Sequence, residues 1–303
     1  MTVIHSMFNE SGRIEIDEST CEQCGLCAGI CPAEVLTLKE GRVQTREDSP
    51  FGCIACGHCM MTCPQGSIKV TGRGLCPEDL LPLPSREERA NADQLQALFQ
   101  ARRSIRKFKE REVEAELLKR IVEMASSGPM GIPPWDVGIT IVRGRENVQK
   151  IAGEIVRGYE KFIGIFRPWV LALLRLFIGK ASYEQFRTFI IPLGKIYVRS
   201  RREGRDMLFY DAPAVLIFHH SPYADLADAT IACTYAMLAA ESLGLGSTMI
   251  GGAPPILQRN KGLSRRLGIP EANKPSLTLI VGYPAAKFQR AVRRSFTVVN
   301  TVQ

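Results

Sequence analysis

The chain is 303 residues long, with 45% hydrophobic and 23% charged residues, the balance of an ordinary soluble globular protein of about two domains. That excludes a collagen-like repeat, a coiled coil and a disordered tail. Residues 1–80 carry six Lys/Arg against eleven Asp/Glu and residues 81–303 carry 33 against 20; this points to an anionic ligand on the larger part, and the lack of any Lys/Arg block interleaved with aromatics argues against nucleic acid.

Met1 to Arg13 hold neither a basic n-region nor an apolar stretch, and eight of the ten cysteines fall in two metal-type clusters, so the expectation is a reducing, cytoplasmic setting. Strand-like stretches at Arg13–Ile16 and Ile68–Val70 bracket those clusters and are expected to pair. Between them, Cys21, Cys24, Cys27 and Cys31 followed by Pro32 repeat, 32 residues on, as Cys53, Cys56, Cys59 and Cys63 followed by Pro64. C-x2-C-x2-C-x3-C-P is the spacing of bacterial two-cluster ferredoxins, in which the fourth cysteine of each run ligates the other cluster. On that rule Cys21, Cys24, Cys27 and Cys63 hold one [4Fe-4S] cluster, and Cys53, Cys56, Cys59 and Cys31 hold the other. A cubane needs four thiolates converging from different directions, which a tight loop supplies only in part. Gly25, Ala28, Ala55 and Gly57 leave room for backbone N–H groups near the sulfides. Zinc also takes four thiolates, but its ribbons use two CxxC pairs. Cys76 and Cys233 remain, and both are expected to be buried as small hydrophobes.

Cys76 to Glu88, with Pro77, Pro82 and Pro84, reads as a linker, so residues 1–80 form one domain, 81–90 the connection and 91–303 a second domain. Asn91 caps a helix whose apolar positions are Leu95, Leu98 and Phe99, and a second helix runs from Val113 to Ser126, stopping at Gly128 and Pro129. Strands are expected at Val137–Val142, Ala214–Phe218 and Leu277–Val281. The helix Ala227–Leu243 is apolar on more than one face, which predicts burial in a core or between subunits. Phe162–Ile178 is almost continuously apolar but interrupted by Arg167, Pro168 and Arg175, and it is short for a bilayer crossing. It is read as a lid over a pocket, as part of a buried helix pair in an insertion over 145–205, or as a helix on a membrane surface with Lys161, Arg167, Arg175 and Lys180 reaching water. Strands interspersed with helices predict an α/β or α+β domain.

Arg102-Arg103-Ser104-Ile105-Arg106-Lys107-Phe108 follows the first of these helices. Clustered guanidiniums beside a hydroxyl suit a phosphate dianion, and a solvated basic helix C-terminus has the same composition. Three other segments stand with it: Ser126-Ser127-Gly128-Pro129 leading to Pro133-Pro134-Trp135, the stretch Gly244 to Gly251, and Gly282-Tyr283-Pro284 ahead of a basic tail. In order and approximate spacing the four resemble the nitroreductase family. With the cysteine runs in front, the chain resembles a ferredoxin-fused nitroreductase over nearly its whole length, residues 145–205 being without a clear counterpart.

That resemblance implies an α+β fold with a central, mostly antiparallel sheet flanked by helices, a homodimer with FMN at its interface, and an N-terminal ferredoxin-like domain with two [4Fe-4S] clusters. It assigns Arg102, Arg103 and Ser104 to the FMN phosphate, and Arg106 to the N1/O2 edge of the ring, where a cation favours reduced flavin. Met249, Ile250, Gly251 and Gly252 are expected beside the ring, a backbone N–H pointing at N5, although glycines here also suit a helix-ending turn. Arg290, Arg293 and Arg294 match the basic residues that complete the phosphate site. Where many relatives carry Asn and Gln, this chain has Gly131 and Pro133, so contacts from that loop are expected from the main chain of Ser126, Ser127 and Gly128 instead. His219 and His220 are read either as proton donors to a substrate or as polar exits from a strand.

The implied activity is reduction of an electrophilic organic acceptor, a nitro compound, quinone or activated alkene, by single electrons from a low-potential donor such as ferredoxin. A non-catalytic electron-transfer module of a larger complex and a quinone reductase on a membrane surface are the alternatives. NAD(P)H as a direct donor finds no G-x-G-x-x-G after a strand.

Overall fold

The computed structural model describes residues 10–46, 48–49, 52–131, 136–166, 170, 175 and 177–302. The Pro133-Pro134-Trp135 motif and the middle of the apolar run, Arg167 and Pro168 included, lie outside the described residues. The chain forms two compact units, one of Met1–Arg89, Pro129–Gly138 and His220–Ala229, the other of Ala90–Gly128, Ile139–His219 and Thr230–Gln303.

In chain order the first unit contains β1 (Arg13–Ile16), α1 (Leu26–Gly29), β2 (Leu36–Lys39), β3 (Arg42–Thr45), α2 (His58–Thr62) and β4 (Ile68–Thr71). β1 and β4 pair antiparallel, Ile14 opposite Val70 and Ile16 opposite Ile68, as their bracketing positions predict. β2 and β3 form a hairpin with Lys39 opposite Arg42. The backbone repeats with the sequence: α1 and α2 are entered through left-handed glycines, Gly25 (φ 73°) and Gly57 (φ 75°), and the preceding Gln23 and Ala55 are left-handed too. Val70, Ile68, Met60 and Leu36 make the small core between the thiols.

Cys76 departs from expectation. Pro77 opens a 3-10 turn, Pro77–Asp79, and Cys76 caps it from the surface side, its N–H donating to Asp79 Oδ2 at 2.8 Å and its Sγ at 3.2 Å. The thiol is spent on capping rather than packing. Cys233 is fully buried, as predicted.

The second unit and the strands that enter it hold α3 (Ala92–Ala101), α4 (Ala115–Ser126), β5 (Val137–Arg143), α5 (Arg145–Ile165), α6 (Lys180–Gln185), a π-helical turn at Phe186–Ile190, α7 (Ile191–Arg202), β6 (Ala214–His220), α8 (Leu226–Ser242), β7 (Gly246–Ile250), α9 (Pro254–Arg259), α10 (Lys261–Arg266) and β8 (Lys274–Gly282). The sheet order is β5-β6-β8-β7, with β7 and β8 antiparallel, Gly246 opposite Gly282 and Ile250 opposite Thr278. β6 is buried along its whole length, as an interior strand covered on both faces should be. Gly244 (φ 74°) ends α8, but the stretch after it is a strand, not only a turn.

Capping and periodicity explain the helices. Asn91 and Gln94 form a reciprocal capping box on α3, with bonds of 2.9 and 3.0 Å. On α4, Leu118, Ile121 and Ala125 are buried at helical spacing. α5 and α7 pack closely, since a Cβ on Gly194 would come within 2.8 Å of Ile163 Cδ1 and 2.9 Å of Tyr159 Cδ1. Two helices are less covered than their sequences predict. α3 buries nothing, leaving Leu95 42% and Phe99 49% exposed, and α8 is covered on its Ala229, Ala232, Cys233, Ala236 and Ala240 side while Tyr235 is 38% exposed. Among the described residues no helix is long and apolar enough to cross a membrane.

Gly246 and Gly282 lie where side chains cross the strand pair: a Cβ on Gly246 would stand 2.5 Å from Ile105 Cγ1, and one on Gly282 2.7 Å from Phe108 Cδ1. Gly246→Ala is expected to destabilise the second unit by ~1–3 kcal/mol through overpacking. Differential scanning calorimetry checks this, and an unchanged midpoint would contradict it.

Candidate functional site

The eight clustered cysteines face two cavities. Cys21, Cys24, Cys27 and Cys63 line one, with Gly25 and Ser67, and Cys31, Cys53, Cys56 and Cys59 line the other, with Gly57 and Val70. Each cavity therefore takes three thiols from one half of the repeat and one from the other. Among the described residues no group of three or more His, Cys, Asp or Glu is placed to hold a single metal ion. Backbone N–H groups reach the sulfurs, Ala55 N to Cys53 Sγ at 3.4 Å and Ser67 N to Cys63 Sγ at 3.3 Å.

Burial, reinforced by neighbouring cysteines, pushes the Cys59 thiol up to about 12, and the Cys27 and Cys53 thiols also rise through burial. At Cys63 burial acts in the same direction, but N–H groups of Ser67, Gln65 and Gly66 outweigh it and lower the thiol. Four crowded thiolates are unfavourable alone and favourable around a cationic iron core, which inverts the local preference. The donor set fits a cluster bound through sulfur alone.

The arginine run is placed by β7 and by the chain leaving β8. Ile105 N donates to Ser247 O at 3.0 Å, Lys109 N to Tyr283 O at 2.8 Å and Ala285 N to Lys107 O at 2.9 Å. Thr248 Oγ1 donates to Ile105 O at 2.5 Å. Arg102 and Arg103 emerge at the end of α3 and, with Arg293 and Arg294 of the tail, line a cavity of about 850 Å³. Arg103 also lines a second, of about 400 Å³, with Arg290 and Glu241. Burial lowers the Arg102 guanidinium from its ordinary value, and the Arg294 and Arg103 charges lower it further, while Glu241 opposes them. Burial in turn raises the Glu241 carboxyl. Several guanidiniums against one carboxylate leave surplus positive charge, which suits a phosphate dianion.

The other sequence-predicted residues stand elsewhere. Arg106 lines neither cavity; its Cζ lies 5.7 Å from the centroid of the Tyr210 ring. Ser126 donates its hydroxyl to Glu123 O at 2.7 Å, Ser127 caps α4, and Gly128 packs against Ile231 and Tyr235 of α8. Met249 and Ile250 end β7. At Gly251 a Cβ would meet nothing within 4 Å, whereas at Gly252 it would stand 2.7 Å from Tyr197 Oη. His219 is buried, its Nδ1 2.9 Å from Asn273 Nδ2 and its Nε2 3.5 Å from Thr140 Oγ1, and His220 is buried with Nδ1 2.7 Å from Ser221 O.

Three residues escaped sequence reasoning. Glu241 reads as the hydrophilic end of an apolar helix. Tyr159 donates to Gly252 O at 2.6 Å, and Tyr197 stacks edge-on against Tyr159 with centroids 5.3 Å apart, so α5 and α7 together support the turn after β7.

A clasp fixes the exit of the arginine run. Tyr283 Oη donates to Glu114 Oε2 at 2.6 Å, Arg111 Nη2 donates to Glu114 Oε1 at 2.6 Å, and the Arg111 guanidinium lies 4.0 Å from the Tyr283 ring centroid. The Tyr283 hydroxyl first, and Arg111 second, hold the Glu114 carboxyl down to about 2. A depressed carboxylate contributes fully above the ordinary value of 4.5 and loses its contribution as pH falls toward 2. Tyr283→Phe should therefore move the Glu114 titration upward, as followed by carboxyl NMR; an unmoved titration would show that the hydroxyl does not hold the carboxylate.

Residues 99–283 match the nitroreductase family, and residues 13–64 match the 4Fe-4S dicluster domain. A candidate NADH dehydrogenase/NAD(P)H nitroreductase of Methanothermobacter thermautotrophicus is 28% identical over 201 residues, 64% of this chain and 78% of that protein. Subunit I 2 of the NADH-quinone oxidoreductase of Geobacter metallireducens is 31% identical over 67 residues, 20% of this chain and 51% of that one, so the match spans about half of that relative. In fold, the crystal structure of a nitroreductase with bound FMN from Bacteroides fragilis is similar at a TM-score of 0.51 with 19% identity, covering 70% of this chain and 100% of that one.

Proposed function

Because the chain belongs to the nitroreductase family and carries a 4Fe-4S dicluster domain, we propose an FMN-dependent oxidoreductase that takes single electrons from a low-potential donor such as ferredoxin through two [4Fe-4S] clusters and reduces an electrophilic organic acceptor. Nitro compounds, quinones and activated alkenes are the acceptor classes. The observation that carries this reading is the pairing, within one chain, of two four-thiol cavities with a cavity lined by surplus guanidinium.

When bound, the clusters supply one-electron relay and FMN supplies exchange between single electrons and electron pairs. Cys21, Cys24, Cys27 and Cys63 hold one cluster and Cys31, Cys53, Cys56 and Cys59 the other. Arg102 and Arg103, joined by Arg290, Arg293 and Arg294, neutralise the flavin phosphate, and Ser104 adds a neutral hydroxyl donor. Arg106 offers positive charge to the ring edge. The open backbone at Gly251 lets a planar ligand approach, and the Tyr159–Tyr197 pair holds that turn in place. The exposed Leu95, Phe99 and Tyr235, with Phe296, Val298 and Val299 of the tail, support a homodimer that covers them. The names of the relatives bring NAD(P)H forward as a rival donor.

Anaerobically purified protein separates the donors. Cys24→Ala should lower iron from about eight atoms per chain to about four, keep FMN, and cut ferredoxin-driven reduction of a nitroarene about tenfold or more. Undiminished ferredoxin-driven turnover in that variant would take this cluster off the electron route, turnover of the unaltered protein with NAD(P)H and not with ferredoxin would make NAD(P)H the donor, and no turnover by the unaltered protein with any acceptor class would favour a non-catalytic module. Combined Arg102→Gln and Arg106→Gln should weaken FMN binding about 10- to 100-fold while iron is retained. Flavin quantified after gel filtration checks it, and full retention would overturn the phosphate assignment.

A further inference from the structure

The two halves of the cysteine repeat differ at one turn. After β2, the hairpin to β3 turns through Glu40 (φ 52°) and Gly41 (φ 73°), with Glu40 exposed. After β4, the equivalent turn runs through Arg73 (φ 52°) and Gly74 (φ 81°), closed by Gly72 N to Leu75 O and Leu75 N to Gly72 O, each 3.0 Å. Positive φ at both central residues is what a two-residue hairpin turn of this kind needs, and Asn-Gly is its usual solution. An arginine in the left-handed region costs about 1–2 kcal/mol, and a turn side chain ordinarily points to water. Arg73 does neither of the easy things: it is only 3% exposed, and its Nε and Nη2 have no hydrogen-bond partner.

A guanidinium cannot shed its charge, so one buried without a partner costs several kcal/mol. Its surroundings indicate which anion would balance it. A Cβ on Gly72 would lie 3.4 Å from Gly12 Cα; Gly12 N donates to Cys53 O at 2.7 Å; and a Cβ on Gly12 would lie 2.9 Å from Cys53 Sγ. On the other side of the turn, Leu75 Cδ2 lies 3.5 Å from where a Cβ on Gly57 would be, immediately after Cys56. The Arg73 turn is thus seated on the loop that carries Cys53, Cys56 and Cys59. The first cavity has the Glu22 carboxylate, which accepts from Gln65 Nε2 at 2.7 Å, in its lining.

We propose that Arg73 is the buried counter-cation of the cluster bound by Cys31, Cys53, Cys56 and Cys59, its two unpartnered N–H groups serving as donors to that cluster's sulfur, and that it keeps this cluster at a higher potential than the one bound by Cys21, Cys24, Cys27 and Cys63. The proposal rests on the assignment of both thiol sets to [4Fe-4S] clusters. A cubane with four thiolates is an anion in both oxidation states and gains a further negative charge on reduction, so a fixed cation favours the reduced form. Arg73 acts through the cluster and is a tuning residue, and single electrons would run downhill from the Glu22 side to the Arg73 side.

The experiment is an EPR-monitored redox titration of the full-length, anaerobically purified protein, with iron counted. Eight iron atoms per chain, approximately, and two one-electron waves are expected of the unaltered protein, and their absence would refute the cluster assignment itself. With both clusters in place, Arg73→Gln should lower only the upper wave, reducing that cluster's reduced-to-oxidised ratio at fixed potential about tenfold, or ~59 mV for one electron. Arg73→Lys should recover part of that shift. Two unmoved waves at full iron content would overturn the role of Arg73. Should Arg73→Gln lose iron, the single-cluster variants decide with Arg73 intact: the cluster left in Cys24→Ala must have a higher potential than the one left in Cys56→Ala, and an equal or lower value would overturn the proposal.

Discussion

The segment from Arg103 to Lys109 belongs to neither a helix nor a strand, and its position is decided by backbone hydrogen bonds to Ser247 on one side and to Tyr283 and Ala285 on the other. Ile105 and Phe108 fill the spaces that Gly246 and Gly282 leave open. A shift of this pairing would take Ile105 and Phe108 out of those spaces and bring other residues of the run against the sheet. The register of this short pairing therefore decides which guanidiniums meet the tail and which one lies over Tyr210. The rest of the cationic site follows from it, since α3 delivers Arg102 at one end and Glu114 clasps Tyr283 at the other.

Both candidate sites are electrostatically uncomfortable by themselves. Crowded buried thiols resist ionisation, and Arg102, Arg103 and Arg294 repel one another with Glu241 as partial relief. Ligands of opposite charge remove that cost, so folding and cofactor binding are thermodynamically linked in each unit.

The parts legible in the sequence were those set by spacing and local chemistry. The displacement of the two cysteine runs carries through to the backbone, where Gly25 and Gly57, or Gln23 and Ala55, adopt matching left-handed conformations. Asn91 and the period of α4 marked helices that formed where expected. What escaped is decided by long-range packing. Nothing near Tyr159 or Tyr197 indicates that α5 and α7 meet beneath Gly252, and a lone Arg73 in a glycine turn reads as surface. Cys76 was misjudged because its cap depends on a turn whose geometry comes from Pro77 and Asp79, not on hydrophobicity. The apolar faces of α3 and α8 carry a real pattern, but the pattern does not say whether the covering layer lies in the same chain.

Each four-thiol cavity draws on both halves of the repeat. As the nascent polypeptide leaves the ribosome, the cavity lined by Cys31 obtains its last thiol with Cys59, and the other remains one short until Cys63 follows. The duplicated halves are consequently interlocked: neither can be inherited, excised or transplanted as a working unit, and any metallation machinery must wait for the second half to be synthesised before either cage can close.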